Sequence, residues 1–172
     1  GISFIHIEDM IGLIQTGNPG DRLFLPKGIR AIKDYSTFIL TSEIPATLEP
    51  CTLSVPGETI LKEAGIVLKA TVDEIQEGEA AHEDSGLWTS YGIFDADKLC
   101  FPLTARPRSD GDAFYPFGFG RRKKLQDFYV DMKVPRDERN RVPLIISGED
   151  IIWVVGYRGD ERYKVTDETK KI

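Results

Sequence analysis

The first pattern along the chain is helical. Phe4, Ile7, Met10, Ile11 and Ile14 recur at the three- and four-residue steps that share one helix face, and Ser3 stands ahead of them as an N-cap. Glycines at 17 and 20 end that pattern. Leu23-Phe24-Leu25-Pro26-Lys27-Gly28-Ile29 then predicts two short strands around a Pro/Gly turn, and Phe38-Ile39-Leu40 a third. One helix with short strands has little apolar surface to bury, so this unit, residues 1–42, is expected to dock on something else.

Residues 42–50 hold two prolines and two glutamates and read as a linker. Beyond it the period changes to two. Thr52-Leu53-Ser54-Val55 runs into a Pro56-Gly57 turn, and Ile66, Leu68, Ala70 and Val72 recur at every second position, as in a half-buried antiparallel strand. Residues 76–86 form an acidic, solvated loop, while 87–94 and 99–105 read as further strands. A helix is expected over 123–132. Val134-Pro135 interrupts it, because a residue before proline avoids the α region, and Pro135 suits the first turn of a second short helix reaching Arg141. The apolar runs 143–147 and 151–155 flank Gly148-Glu149-Asp150 as a buried hairpin, and 163–166 gives a last strand. The fold class is therefore α+β: a mostly antiparallel sheet domain over 43–172 with two short helices, preceded by a small helix-plus-hairpin fragment over 1–42.

Composition adds constraints. The 172 residues carry 41% hydrophobic side chains, an ordinary globular fraction, and no run approaches the roughly 18 apolar residues of a membrane span. The chain opens at Gly1 rather than Met, as expected of a piece excised from a longer polypeptide. Cys51 and Cys100 lie far apart with no CxxC spacing, which argues against a disulfide scaffold and, with only His6 and His82 to join them, against a structural metal. Both cysteines are expected as small buried apolar residues of a cytoplasmic protein. The net charge of -6 argues against nucleic acid, but its distribution does not. Residues 1–99 sum to -9 and residues 100–172 to +3, with 10 basic against 6 acidic side chains within 104–141. A basic segment on an acidic chain is a local electrostatic footprint or, more simply, a solvated mixed-charge face.

That segment also holds the motif-like residues. Arg106, Arg108, Gly111, Asp112, Phe114, Pro116, Gly118 and Gly120 lead into four consecutive cations, Arg121, Arg122, Lys123 and Lys124, at the start of the expected helix. Glycines let backbone N–H groups approach a phosphate, and a phosphate at a helix N-terminus would be held by helix and cations together. No GxxxxGK[ST] loop is present, so a nucleotide P-loop is excluded. Asp127 and Asp131 share a helix face and could bind a metal or serve a hydrolase, but Lys123 or Lys124 beside Asp127 favours plain ion pairing. Arg136 and Arg139 share a face and extend the cationic strip. Tyr115, Phe117, Phe119 and Tyr129 are candidates for stacking on bases, whereas Phe114 and Phe128 are expected in the core.

These spacings continue downstream. Lys123-Lys124-Leu125-x-Asp127-Phe128-x-x-Asp131-x-Lys133-Val134-Pro135-Arg136-x-x-Arg139-x-x-x-Pro143-Leu144 leads on to Ile152-Trp153-Val154-Val155-Gly156-Tyr157-Arg158 and Arg162-Tyr163-Lys164-Val165-Thr166. With the Arg106 to Gly118 stretch, the series resembles the carboxy-terminal signature of tRNA(Ile)-lysidine synthases. Leu25-Pro26-x-Gly28 with Tyr35 resembles the end of that family's middle, substrate-recognition domain. Residues 43–92 diverge, and Ala113 stands where many members carry a basic residue.

The resemblance implies a parent enzyme, an ATP-dependent ligase that joins lysine to the wobble cytidine of an isoleucine tRNA. Its chemistry, with ATP and Mg, would sit in an N-terminal domain bearing an SGGxDS pyrophosphate loop. No Ser-Gly-Gly occurs here, so the fragment alone is expected to be inactive, with no catalytic or metal residue of its own. The implied role is a grip on the tRNA acceptor arm by Arg106, Arg108, Arg121, Arg122, Lys123, Lys124, Arg136 and Arg139. Contacts to phosphate and ribose are expected to dominate, because A-form RNA hides its base edges. The parent's catalytic domain and a second copy in a homodimer are the implied protein partners. The alternative is a docking or dimerisation module that touches no RNA.

Overall fold

The computed structural model describes residues 2–42, 46–75 and 91–172. Helix α1, Phe4–Thr16, starts as expected: the Ser3 N–H donates to His6 Nδ1 at 2.9 Å, and the Gly17 N–H closes the last turn on the Leu13 carbonyl. Strands β1 (Arg22–Phe24), β2 (Arg30–Lys33) and β3 (Phe38–Thr41) form an antiparallel meander. Adjacent residues on a strand point to opposite faces, yet both Ala31 and Ile32 of the middle strand are buried. Helix α1 lies against β1 and β2 but contributes no buried residue.

The larger part is built on a five-stranded antiparallel sheet in the order β12-β11-β10-β7-β4. Its strands are β4 (Cys51–Thr52), β7 (Thr104–Arg106), β10 (Leu144–Ser147), β11 (Asp150–Val154) and β12 (Arg158–Gly159). A hairpin of β5 (Gly57–Leu61) and β6 (Ile66–Ala70) and a two-stranded ribbon of β8 (Ala113–Phe114) and β9 (Lys123–Lys124) complete the strands. Helix α2 spans Leu125–Asp131.

Both faces of the large sheet are covered, which is why 143–147 and 151–155 read as unbroken apolar runs rather than an alternation. On one face, Leu144, Ile146, Ile151 and Val154 pack with Phe114, Phe128 and Tyr129 of the ribbon and α2. On the other, Ile145, Ile152 and Trp153 pack with Leu48, Leu61 and Leu103. A register shift between Ile145 and Ile146 puts an extra residue into β11, so that consecutive Ile152 and Trp153 serve the same core. Phe114 and Phe128 are fully buried in edge-to-face contact, ring centroids 5.1 Å apart, as expected for core residues. Tyr129, a candidate for stacking on bases, is buried beside them because α2 turns it onto the sheet.

Several expected elements take another form. Strand β5 was hidden behind the Pro56-Gly57 turn, while only Cys51–Thr52 of its neighbour pairs in the sheet. Within 99–105 only the end joins β7, because the ladder to β10 begins at Thr104. Residues 91–94 form no strand, and Phe94 instead packs its ring on Trp153 at 6.1 Å; the expected acidic loop, residues 87–90 and part of the linker lie outside the described residues. The linker's described end is not loose, since Leu48 is buried and its N–H donates to the Asn140 carbonyl. Helix α2 starts two residues later than expected, since Lys123 and Lys124 pair with Phe114 and Ala113 as β9. Residues 135–141 close turns through the Pro135 and Glu138 carbonyls instead of a helix. Beyond 160 the chain makes a 3-10 turn, Glu161–Tyr163, and no strand at 163–166, because the Asp160 carboxylate accepts the Arg162 N–H and caps that turn. Cys51 is half-buried and Cys100 exposed, against the expectation that both are buried; both are free thiols.

Candidate nucleic-acid interface

The glycines that the sequence marks for close approach all adopt the left-handed backbone: φ is 87° at Gly111, 78° at Gly118 and 63° at Gly120. Between them the chain makes a loop whose shape is set by a carboxylate. Asp112 accepts two hydrogen bonds from Arg106, each 2.8 Å, and one from the Ser109 N–H at 2.7 Å. Burial works to raise the Asp112 pKa, but the bonds from Arg106 and Ser109 and the arginine's charge outweigh it, and the carboxyl lies below its usual value. Arg106 is thus a fork that holds this loop closed. The Asp112 carbonyl also takes the Leu125 N–H at 2.8 Å, so the first amide of α2 is already satisfied within the protein.

The four consecutive cations divide. Arg121, Arg122 and Lys124 are exposed, with no side-chain hydrogen bond or ion pair among the described residues. Lys123 is half-buried, pairs with Asp131 and sits 4.8 Å from the centre of the Phe119 ring. The expected neutralisation of an α2 carboxylate therefore occurs at Asp131, reached from the strand before the helix, rather than at Asp127. No group of three or more potential metal ligands occurs among the described residues.

Tyr115, Phe117 and Phe119 stand at every second position, and cations from the far end of the chain lie over them. The Arg158 guanidinium is 5.2 Å from the Phe119 ring and donates to the Phe117 carbonyl at 2.8 Å. Lys164 is 5.7 Å from Phe117, and Arg162 is 4.7 Å from Tyr115. Arg162 is anchored by hydrogen bonds to the buried Asp160, which hold it protonated. Tyr163 is pushed up to about 12 by burial and by its hydrogen bond to Asp150. This cation–aromatic ladder was not legible locally: the alternation of rings was a signal, but Arg158, Arg162 and Lys164 reach it only through the tertiary fold.

The remaining arginines gather elsewhere. Arg108, Arg136 and Arg139 line one hollow beside the turns after α2. Arg108 Nε donates to Asn140 Oδ1 at 2.8 Å, and the buried Arg139 donates to the Val134 carbonyl at 3.0 Å while lying 5.9 Å from the Tyr129 ring. Burial lowers the Arg139 pKa, and repulsion from Arg108 and Arg136 adds to this against the opposing influence of Tyr35 and Tyr129. Two cations that drew no attention in the sequence, Arg22 and Arg30, reach the same hollow from β1 and β2. The eight expected cations therefore fall into an open row of three, a hollow of three and two engaged within the fold, Arg106 on Asp112 and Lys123 on Asp131.

Comparison with known proteins agrees with the signature. Residues 103–172 match the family described as the TilS substrate C-terminal domain. Over its whole length the chain is 33% identical to a tRNA(Ile)-lysidine synthase of Caldanaerobacter subterraneus subsp. tengcongensis, and over 97% of its length 32% identical to one of Clostridium acetobutylicum; it covers 36% of each. Over 45% of the chain, identity to the tRNA(Ile)-lysidine synthase of Parabacteroides distasonis rises to 49%, covering 18% of that protein. A crystal structure of the TILS C-terminal domain superposes with a TM-score of 0.56 at 25% identity, covering 72% of this chain and 92% of that one. The chain thus spans about a third of the length of the curated relatives it matches.

Proposed function

We propose, from the premise that this chain belongs to the tRNA(Ile)-lysidine synthase family as its carboxy-terminal region, that it is the part of a longer ligase that grips tRNA. The observation that carries this reading is the row of Arg121, Arg122 and Lys124, exposed and without protein partners among the described residues, beside the aromatic ladder. Cations left in water at one edge are disposed to replace counterions on a phosphate backbone. Arg108 and Arg136 extend the grip, while Arg106, Lys123 and Arg139 act mainly by fixing its shape. The ligand is the acceptor arm of an isoleucine tRNA. The full polypeptide is a cytoplasmic, ATP-dependent ligase that joins lysine to the wobble cytidine, with ATP and Mg in its catalytic domain. This chain assigns no residue to that chemistry and is inactive by itself. Residues 1–42 end the middle domain and 43–172 form the tRNA-binding domain.

Fluorescence titration of this chain with an isoleucine-tRNA acceptor minihelix at two salt concentrations tests the grip. With about five phosphates neutralised, the logarithmic salt slope should be about -4.5. Raising salt from about 50 to about 200 mM then weakens binding by between two and three decades. A second reading, a docking or dimerisation module, is favoured by α1, whose Phe4, Ile5, Ile7, Ile11 and Ile14 are all exposed. It predicts little salt dependence and a molecular size that grows with concentration. Within the first reading the same face docks on the catalytic domain of its own polypeptide.

A further inference from the structure

The hollow lined by Arg22, Arg30, Arg108, Arg136 and Arg139 has a volume of about 500 Å³. Among the described residues Asp137 is its only lining carboxylate; Arg22 engages Oδ1, and the buried Oδ2 has no partner. Five guanidinium groups face one carboxylate. Like charges so gathered repel, and in a partly enclosed space they are screened less than on open surface.

Three details argue that the assembly suits a ligand. Nε and one Nη of Arg30 are buried and have no hydrogen-bond partner, a costly state for donors that a small swing of the guanidinium onto an acceptor in the hollow would relieve. Arg136 is exposed and unpaired among the described residues, and its stem crosses Gly20 so closely that a Cβ there would lie 2.4 Å from Arg136 Cδ. Gly20, at φ 92°, thus leaves the path by which Arg136 reaches the hollow. Finally, Arg22 and Arg30 come from the N-terminal meander and the other three from the loop before β8 and the turns after α2, so an anion here would tie both parts together.

We propose that this hollow is a phosphate socket, in which Arg30 and Arg136, with the charge of Arg22, Arg108 and Arg139 beside them, hold one phosphate group carried by bound tRNA. The planar fork of arginine matches phosphate oxygens better than a point charge does, and a set of forks converging from two sides selects a tetrahedral anion over a spherical one. The socket rests on the tRNA reading for its ligand, though not for its affinity for phosphate.

The first test is thermal unfolding of the whole chain in inorganic phosphate or chloride at matched ionic strength. Phosphate at about ten times its dissociation constant should raise the melting temperature by about 3 °C, with no such effect from chloride. R30Q and R136Q should each abolish that rise. R30Q should not lower the melting temperature in plain buffer, because it removes a cation whose buried donors have no partners; a structural arginine would show a loss instead. In minihelix titrations each variant should weaken binding about tenfold and reduce the salt slope by about 1. Minihelices with a 5′-phosphate or a 5′-hydroxyl distinguish the source: equal binding assigns an internal phosphodiester, and a loss with the hydroxyl assigns the terminal phosphate. Phosphate that stabilises the R30Q/R136Q double variant as much as the parent chain overturns the socket. Minihelix binding that survives both substitutions but is lost on reversing Arg121, Arg122 and Lys124 also overturns it, and leaves the tRNA reading standing. A phosphate effect abolished by R30Q, together with no minihelix binding, supports the socket and removes the tRNA reading.

Discussion

The β10–β11 hairpin and helix α1 are both rich in apolar residues and opposite in outcome. Every hairpin residue from Leu144 to Ile146 and from Ile151 to Val154 is buried, with α2 and the β8–β9 ribbon on one face and Leu48, Leu61 and Leu103 on the other. No residue of α1 is buried, and Phe4 is 71% exposed. The hairpin's covers lie within this chain, whereas the outer face of α1 has no cover among the described residues. An apolar stripe states that a face requires covering; it does not state by what. The same contrast runs through the cations, where Arg106 and Lys123 are engaged within the fold and Arg121, Arg122 and Lys124 face outwards.

Substitutions can sharpen that contrast. The largest effect is expected in the closed core: Phe128→Ala removes a fully buried ring and should cost about 3–5 kcal/mol in denaturant unfolding. Next is the internal clasp. Arg106→Ala leaves Asp112 without its bidentate partner and should cost about 2 kcal/mol at neutral pH. That cost should depend on pH with a definite sign. The Asp112 pKa is lowered on folding, so its stabilisation is present above the usual carboxylate value, about 3.9, and disappears as pH falls through the lower folded value. Melting curves of the parent chain and Arg106→Ala should therefore converge below about pH 4. A gap that persists at pH 2 would mean that Arg106 acts through packing alone. The smallest effect is expected on α1. Ile7→Ser and Ile11→Ser together should change the stability of this chain by less than about 0.5 kcal/mol, because both residues are exposed and their helix propensities are similar. In the full-length protein the same pair should destabilise measurably if that face docks on the catalytic domain.

What the sequence revealed follows from the range of each interaction. Helix α1, the β1–β3 meander and the β10–β11 hairpin were legible because periodicity, caps and turn residues act within a few positions. Strand β5 was obscured because Gly57 follows a proline and reads as the turn rather than as the first residue of Gly-Glu-Thr-Ile-Leu. The basic segment itself was plain, but the division of its cations was not. Lys123 pairs with Asp131, eight residues on, only because β9 runs before α2, and Arg139 is buried by contacts that follow the unexpected turns over 135–141. Arg22 and Arg30 stood in the acidic half of the chain, where only the tertiary fold carries them to Arg136 and Arg139.

The central claim is that the open row grips RNA. Its most direct test is titration of the chain bearing R121E, R122E and K124E against the acceptor minihelix at two salt concentrations, alongside the parent chain. The three reversals lie on exposed side chains and should leave the melting temperature nearly unchanged. Binding should fall by at least a hundredfold, and the salt slope should shrink from about -4.5 to about -1.8 as three phosphate contacts are lost. Parent-like affinity and slope in the reversed chain would contradict the account.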